Sequence, residues 1–142
     1  MAIAQSAQTP VALSERIAPG IVQITLNRPS ARNALNMALI ERLLDQLSAL
    51  SEDRSIRALI ITGAGDLAFC AGADLHERRE MDATQRQAHT EAINALADAI
   101  ALFPVPVIAA IRGYAFWPAA RSLPSLATSG SRGTMPCSAF RK

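Results

Sequence analysis

Two short apolar runs, Arg57-Ala-Leu-Ile-Ile-Thr62 and Val105 to Ile111, constrain the fold of this 142-residue chain more than any other feature. Each is short for a helix and compactly apolar, which suits a buried strand. Each also follows a segment with helical spacing. Asn36 precedes Leu39, Leu43 and Leu47 in one row with Ile40 and Leu44 beside it, the stripe of an amphipathic helix with an asparagine cap; Glu41, Arg42 and Asp45 fall on the other side. Asp82-Ala-Thr-Gln85 has the form of a capping box and opens a second helix through Ile93, Leu96 and Ile100 to Phe103, where Pro104 stops it. Ahead of both, Val11 to Ile17 and Ile21 to Leu26 flank Ala18-Pro19-Gly20, so a Pro-Gly turn predicts a hairpin. The order ββ-α-β-α-β predicts an α/β architecture in which helices cover strands. It occupies one domain, residues 11–116, after a short N-terminal tail at 1–10.

After Phe116 the pattern stops. Residues 117–142 hold three prolines, five serines, four basic side chains and no carboxylate, with apolar residues at no constant spacing, so a disordered tail is the plain expectation. This tail alone makes the chain basic, since residues 1–116 carry 10 basic and 12 acidic side chains. Arg121, Arg132, Arg141 and Lys142 are dispersed, with no aromatic platform or amphipathic period between them, which argues against nucleic acid or a membrane surface as partner. Cys70 and Cys137 make no disulfide framework and sit in no Cys/His cluster with metal-ligand spacing, so a reducing compartment and no metal are expected. Met1 to Thr9 lacks the basic and apolar regions of a secretory signal, and no run is long enough to span a membrane. A cytoplasmic protein is the expectation.

Gly63-Ala-Gly65 after a strand invites a dinucleotide or phosphate-loop reading. Ala68 stands where a third glycine belongs and no Gly-Lys-Ser/Thr follows, so both readings are rejected. His76 and His89 have no Ser or Cys partner in a nucleophile motif and read as solvated helix residues. What remains is Ala68-Phe-Cys-Ala-Gly-Ala-Asp-Leu75, a turn of small residues between a strand and a charged segment. Such a turn either lets a ligand approach backbone N–H groups that stabilise negative charge, or is merely a tight packing turn.

Three stretches, "ITLNRPSARNALN" at 24–36, "ALIITGAGDLAFCAGADL" at 58–75 and "PVPVIAAIRGYAF" at 104–116, resemble successive signatures of the crotonase superfamily, the enoyl-CoA hydratases and isomerases. The resemblance covers 11–116 and corresponds to the N-terminal part of a family member. It implies a spiral of ββα units, truncated in this chain, and an acyl-CoA thioester as substrate with no further cofactor. It implies that Ala73 N–H is one of two backbone donors to the enolate oxygen. Backbone around Ser30, Ala31 and Arg32, and around Ala71, Gly72, Asp74 and Leu75, would meet the coenzyme A moiety. Arg28 reads either as a phosphate neighbour or as a surface arginine. Family members assemble as trimers and hexamers largely through C-terminal segments, so oligomerisation is not expected of this chain.

By the family pattern, position 118 should supply the second donor and positions 121 and 141 the hydratase glutamates. This chain has Pro118, Arg121 and Arg141 there, and proline has no N–H to give. A shift of reading frame accounts for the departure. Synonymous codons for Trp117 onward, read from the third base, spell AGGSELALACDIRIAGDDAVFGLPE, which is family-like throughout and restores a glycine at 118 and glutamates at 121 and 141. Lys142 is the only lysine among 14 basic residues, a bias expected of GC-rich coding sequence. The intact reaction implied by the resemblance is hydration of 2-enoyl-CoA, with the chain as written an inactive fragment. The alternatives are another crotonase-type isomerase, dehydratase, hydrolase or decarboxylase, or a non-enzymatic CoA-binding remnant. The strand at 105–111 and the apolar faces of both helices are expected to lack part of their cover.

Overall fold

The computed structural model describes residues 9–116 and 127–128. Strands β1 (Ala12–Ala18) and β2 (Ile21–Leu26) form the hairpin around Pro19-Gly20, with Gly20 at φ +76°, in the left-handed region that glycine enters without a Cβ clash. Helix α1 (Met37–Ser51) follows, its Asn36 side chain accepting the Leu39 N–H at 3.0 Å. β3 (Ala58–Gly63) then lies parallel to β2, pairing Ile21 with Ala58 and Leu26 with Gly63. β4 (Ala68–Cys70), a short helix α2 (Leu75–Glu80) and a long helix α3 (Ala83–Ala101) lead to β5 (Val107–Ala110), parallel to β3. β6 (Tyr114–Ala115) returns beside β4 as a separate two-stranded sheet, and β7 (Ala127–Thr128) pairs in parallel with β5. The main sheet has the order β1-β2-β3-β5-β7.

The crossovers are helical because parallel neighbours cannot be joined by a tight turn. Asp82 and Gln85 form the reciprocal capping box that starts α3, as the sequence pattern predicts. Leu39, Ile40, Leu43 and Leu47 of α1, and Ile93, Leu96 and Ile100 of α3, join Ile24, Leu26, Leu59 and Ile61 in one core. Burying three leucines such as Leu39, Leu43 and Leu47 is worth at most about 5–9 kcal/mol. The expectation that both helices lack cover is therefore corrected, since they close over the sheet and over one another. Val107 and Ala109 of β5 are buried too, although alternate residues of β3 and β5 are only half-buried. Exposed apolar side chains include Leu67, Leu75, Leu102, Tyr114 and Phe116.

The turn read at 68–75 is in fact a strand followed by a capped helix start. Cys70 ends β4, and Asp74 is the N-cap of α2. Pro118, Arg121, Cys137 and Arg141 lie outside the described residues, as does the rest of the expected disordered tail except Ala127 and Thr128. Those two are strand rather than coil, which corrects the expectation there. Among the described residues no helix is long and apolar enough to cross a membrane.

Candidate functional site

Three segments meet at the carboxyl ends of β2, β3 and β4: the loop from β2 into α1, the loop from β3 into β4, and the bend from β4 into α2. Leu35 and Ala73 form an isolated parallel bridge between the first and the third. Leu35 N–H donates to Gly72 O at 2.7 Å, and Asp74 N–H donates to Leu35 O at 3.0 Å. These two bonds clamp the peptide units on both sides of Ala73 and aim its own N–H the other way. Among the described residues that N–H has no hydrogen-bond partner, and Ala73 is half-buried. A backbone donor with no partner among the described residues, on a clamped segment, is open to an external acceptor.

Gly72 makes the bend possible. Its φ is +85°, and a Cβ added there would stand 2.7 Å from Phe116 Cδ1. Phe116 is held in turn by its N–H, which donates to Cys70 O at 2.8 Å. The chain leaving β6 thus passes directly over the bend that presents Ala73.

Asn33 organises the first two segments. It is fully buried, at φ +54°, next to Arg32 at φ +52°. Its Oδ1 accepts the Arg28 N–H at 2.9 Å, while its Nδ2 donates to Ala64 O at 3.0 Å and to Ala68 O at 2.9 Å. One carboxamide so ties three backbone groups of these two segments together. Gly63 lies against it with no room for a side chain, since a Cβ there would be 2.8 Å from Asn33 Nδ2.

Arg28 turns inward. Its guanidinium donates to Ala34 O and forms an ion pair with Asp74 at 3.0 Å. The reading of Arg28 as a free surface arginine is corrected by these contacts. Asp74 also accepts the N–H groups of His76 and Glu77 as the cap of α2. Burial pushes the Asp74 carboxyl up, but the Glu77 N–H and the Arg28 guanidinium outweigh it and leave the group below its ordinary range. Asp74 thus offers its carboxylate to the scaffold rather than to a ligand. Ser30, Arg32 and Leu75 are exposed, and Ala31 and Ala71 are half-buried. An open cleft of about 360 Å³ lies beside them, lined by Pro29, Ala64, Gly65, Asp66, Leu67 and Ala68.

Burial raises the Cys70 thiol to about 11 against the opposing Gly72 N–H, so it is a packing residue at neutral pH. His76 is exposed, as expected, but His89 is not. His89 is fully buried, between the Leu35 carbonyl at 2.9 Å and Arg78 Nη1 at 3.2 Å, which corrects its reading as a solvated residue. Sequence reasoning missed Asn33 and His89 as parts of the site. It also missed α2, although Asp74-x-x-Glu77 has the capping-box form; here Glu77 instead accepts the Met37 N–H of α1 at 2.9 Å.

Residues 16–118 match the family model described as Enoyl-CoA hydratase/isomerase. Enoyl-CoA hydratase domain-containing protein 2, mitochondrial, of Bos taurus is 45% identical over 96 residues, covering 68% of this chain and 32% of that protein. Human methylglutaconyl-CoA hydratase, mitochondrial, is 41% identical over 96 residues, covering 68% of this chain and 28% of the relative. The chain spans about a third of the length of the curated relatives it matches. A crystal structure of enoyl-CoA hydratase from Bacillus anthracis superposes with a TM-score of 0.71 at 40% identity, over 72% of this chain and 40% of that one.

Proposed function

The chain belongs to the enoyl-CoA hydratase/isomerase family, and from that premise we propose that its loops at 28–36 and 68–75 receive an acyl-CoA thioester whose carbonyl oxygen accepts the Ala73 N–H. The observation that carries this reading is the unpaired Ala73 donor, clamped on both sides by Leu35. When water adds to C3 of a 2-enoyl thioester, electron density moves onto the thioester oxygen to form an enolate. A donor already fixed at that oxygen stabilises the developing charge without having to reorganise. The 360 Å³ cleft adjoins the same two loops and offers room for part of the coenzyme A moiety.

The full reaction needs a second donor and a carboxylate to handle water. Phe116 sits over Gly72, at the Ala73 end. Pro118 has no N–H to offer. Loss of one oxyanion donor costs about 10²–10³ in rate. Arg121, which cannot deprotonate, stands where the family places a general acid/base, and that loss costs about 10²–10⁴ more. The chain as written therefore binds the thioester without turning it over, and residues 117–142 are read as an out-of-frame continuation of a hydratase.

The test compares the chain as written with a version carrying the restored frame after Phe116, following loss of the crotonyl-CoA enoyl absorbance. The restored protein is expected to hydrate crotonyl-CoA and the chain as written to stay at background. Hydration by the chain as written at the pace of an ordinary lyase would overturn the reading. Calorimetric titration of the folded chain with crotonyl-CoA tests binding alone, and no saturable heat would end that half of it.

A further inference from the structure

His89, buried on α3, does more than fill space. The Leu35 carbonyl can only accept and the Arg78 guanidinium can only donate. Both ring contacts, 2.9 Å at Nε2 and 3.2 Å at Nδ1, form together when Nε2 carries the ring proton and Nδ1 the lone pair. Arg78 is itself held, since its Nη1 also reaches Thr90 Oγ1 at 3.3 Å and its carbonyl accepts Arg86 Nε at 3.1 Å. Glu77 Oε2 stands 4.0 Å from Nε2, fixed by the Met37 N–H. The imidazole is thus oriented from α2 on one side and presents one N–H to one carbonyl on the other.

That carbonyl is the one that clamps the candidate donor. Leu35 O accepts both the Asp74 N–H at 3.0 Å and His89 Nε2–H at 2.9 Å, which uses both of its lone pairs. Among the described residues no other side chain touches it in a hydrogen bond. We propose that His89 is a positioning residue for the Ala73 N–H: it fixes the Leu35 carbonyl, and through it the Gly72–Asp74 segment, so that the Ala73 donor points at a thioester oxygen. This rests on the reading of Ala73 as that donor. If His89 served packing alone, a phenylalanine of similar size would replace it without consequence for the bend.

The test uses the ¹⁵N-labelled full chain as wild type, His89→Phe and His89→Gln. A glutamine carboxamide can still donate to Leu35 O and accept from Arg78. In the free chain, amide exchange at Asp74 is compared with exchange at Leu43 and Leu59 in the core. His89→Phe is expected to speed Asp74 exchange about tenfold relative to those core amides, the equivalent of one lost hydrogen bond, and His89→Gln to stay near wild type. Equal exchange in all three overturns the proposal. If His89→Phe does not fold, His89→Met serves the same comparison with an apolar side chain that adapts to the space.

A second arm adds crotonyl-CoA, or free coenzyme A as the control without a thioester. The Ala73 amide proton is expected to shift downfield with the thioester only, in wild type and His89→Gln but not in His89→Phe. A shift of equal size in all three overturns the positioning role and leaves Ala73 as donor intact. No shift in any of them, with exchange differing as expected, removes Ala73 as donor while the coupling of His89 to the bend stands.

Discussion

Removing the Asn33 carboxamide should destabilise the site more than any other single truncation outside the apolar core. The residue is 0% exposed and binds three backbone groups through bonds of 2.9, 3.0 and 2.9 Å. Asn33→Ala leaves the Arg28 N–H and the Ala64 and Ala68 carbonyls without this partner. Arg28 and Ala64 are half-buried, so water can reach those groups and each loss is worth about 1 kcal/mol; Ala68 is buried, and its carbonyl falls toward the upper part of the 1–3 kcal/mol range. The backbone adds to this. At φ +54° an alanine meets the left-handed penalty of roughly 1–2 kcal/mol, which asparagine eases by its own local hydrogen bonds and glycine avoids.

The sum for Asn33→Ala is about 5–7 kcal/mol, and for Asn33→Gly about 1–2 kcal/mol less. Urea unfolding of the full chain, followed by far-ultraviolet circular dichroism, measures both. With a slope of ~2 kcal/mol/M, the alanine variant should lose roughly 2 M or more from the midpoint, and glycine should recover about a quarter of that loss. A midpoint for Asn33→Ala within about 0.5 M of wild type would show that these three bonds do not hold the loops together. Glycine no better than alanine would show that the left-handed backbone is not what the structure indicates.

Three further expectations follow from neighbouring residues. Gly72→Ala must accommodate both a φ of +85° and a Cβ 2.7 Å from Phe116, and should destabilise by about 1–3 kcal/mol; Phe116→Ala in the same chain should relieve only the contact, so a full rescue in thermal melts would refute the backbone part. Asp74 has a depressed folded-state pKa, so its contribution is complete above the unfolded value of about 3.9 and is lost as pH falls through the lower folded value; Asp74→Asn should remove that step from a plot of urea midpoint against pH, and an unchanged acid limb would refute the assignment. Cys70, raised to about 11 and buried, should resist iodoacetamide at pH 8 until the chain is unfolded, and rapid labelling of its peptide in the native chain, read by mass spectrometry, would contradict its burial.

Much of the scaffold was legible because its signals are periodic. The leucine row of α1, the capping box of α3 and the Pro-Gly turn each rest on a local rule with one physical cause, and each element lies where that cause puts it. The parts that escaped have no period. β4 is three residues long, and α2 carries a single apolar residue, Leu75, that is itself exposed. Asn33 is fixed by partners 31 and 35 positions away, and His89 by a carbonyl 54 positions away, distances over which no local pattern speaks. His89 was misread for a plain reason. Its neighbours in the sequence are polar, but on α3 it shares a face with Ile93 and Leu96, four and seven positions on, and that face is buried.

On the proposed function, the same separation accounts for a chain that keeps a site and loses a reaction. Among the described residues, the groups that hold Ala73 in place, namely Leu35, Gly72, Asp74, Arg28, Asn33 and His89, lie before residue 117 and are joined by their own bonds. Phe116, the last residue before the pattern fails, still lies against Gly72. Binding through backbone donors therefore depends on the part of the chain that obeys the family pattern. On the proposed function, catalysis depends on groups just beyond it, where Pro118 has no N–H to give. On the proposed function, affinity for the thioester and its turnover separate at position 118, and restoring a residue with an N–H there alone should recover the oxyanion share of the rate, about 10²–10³, but not the share that belongs to the missing carboxylates.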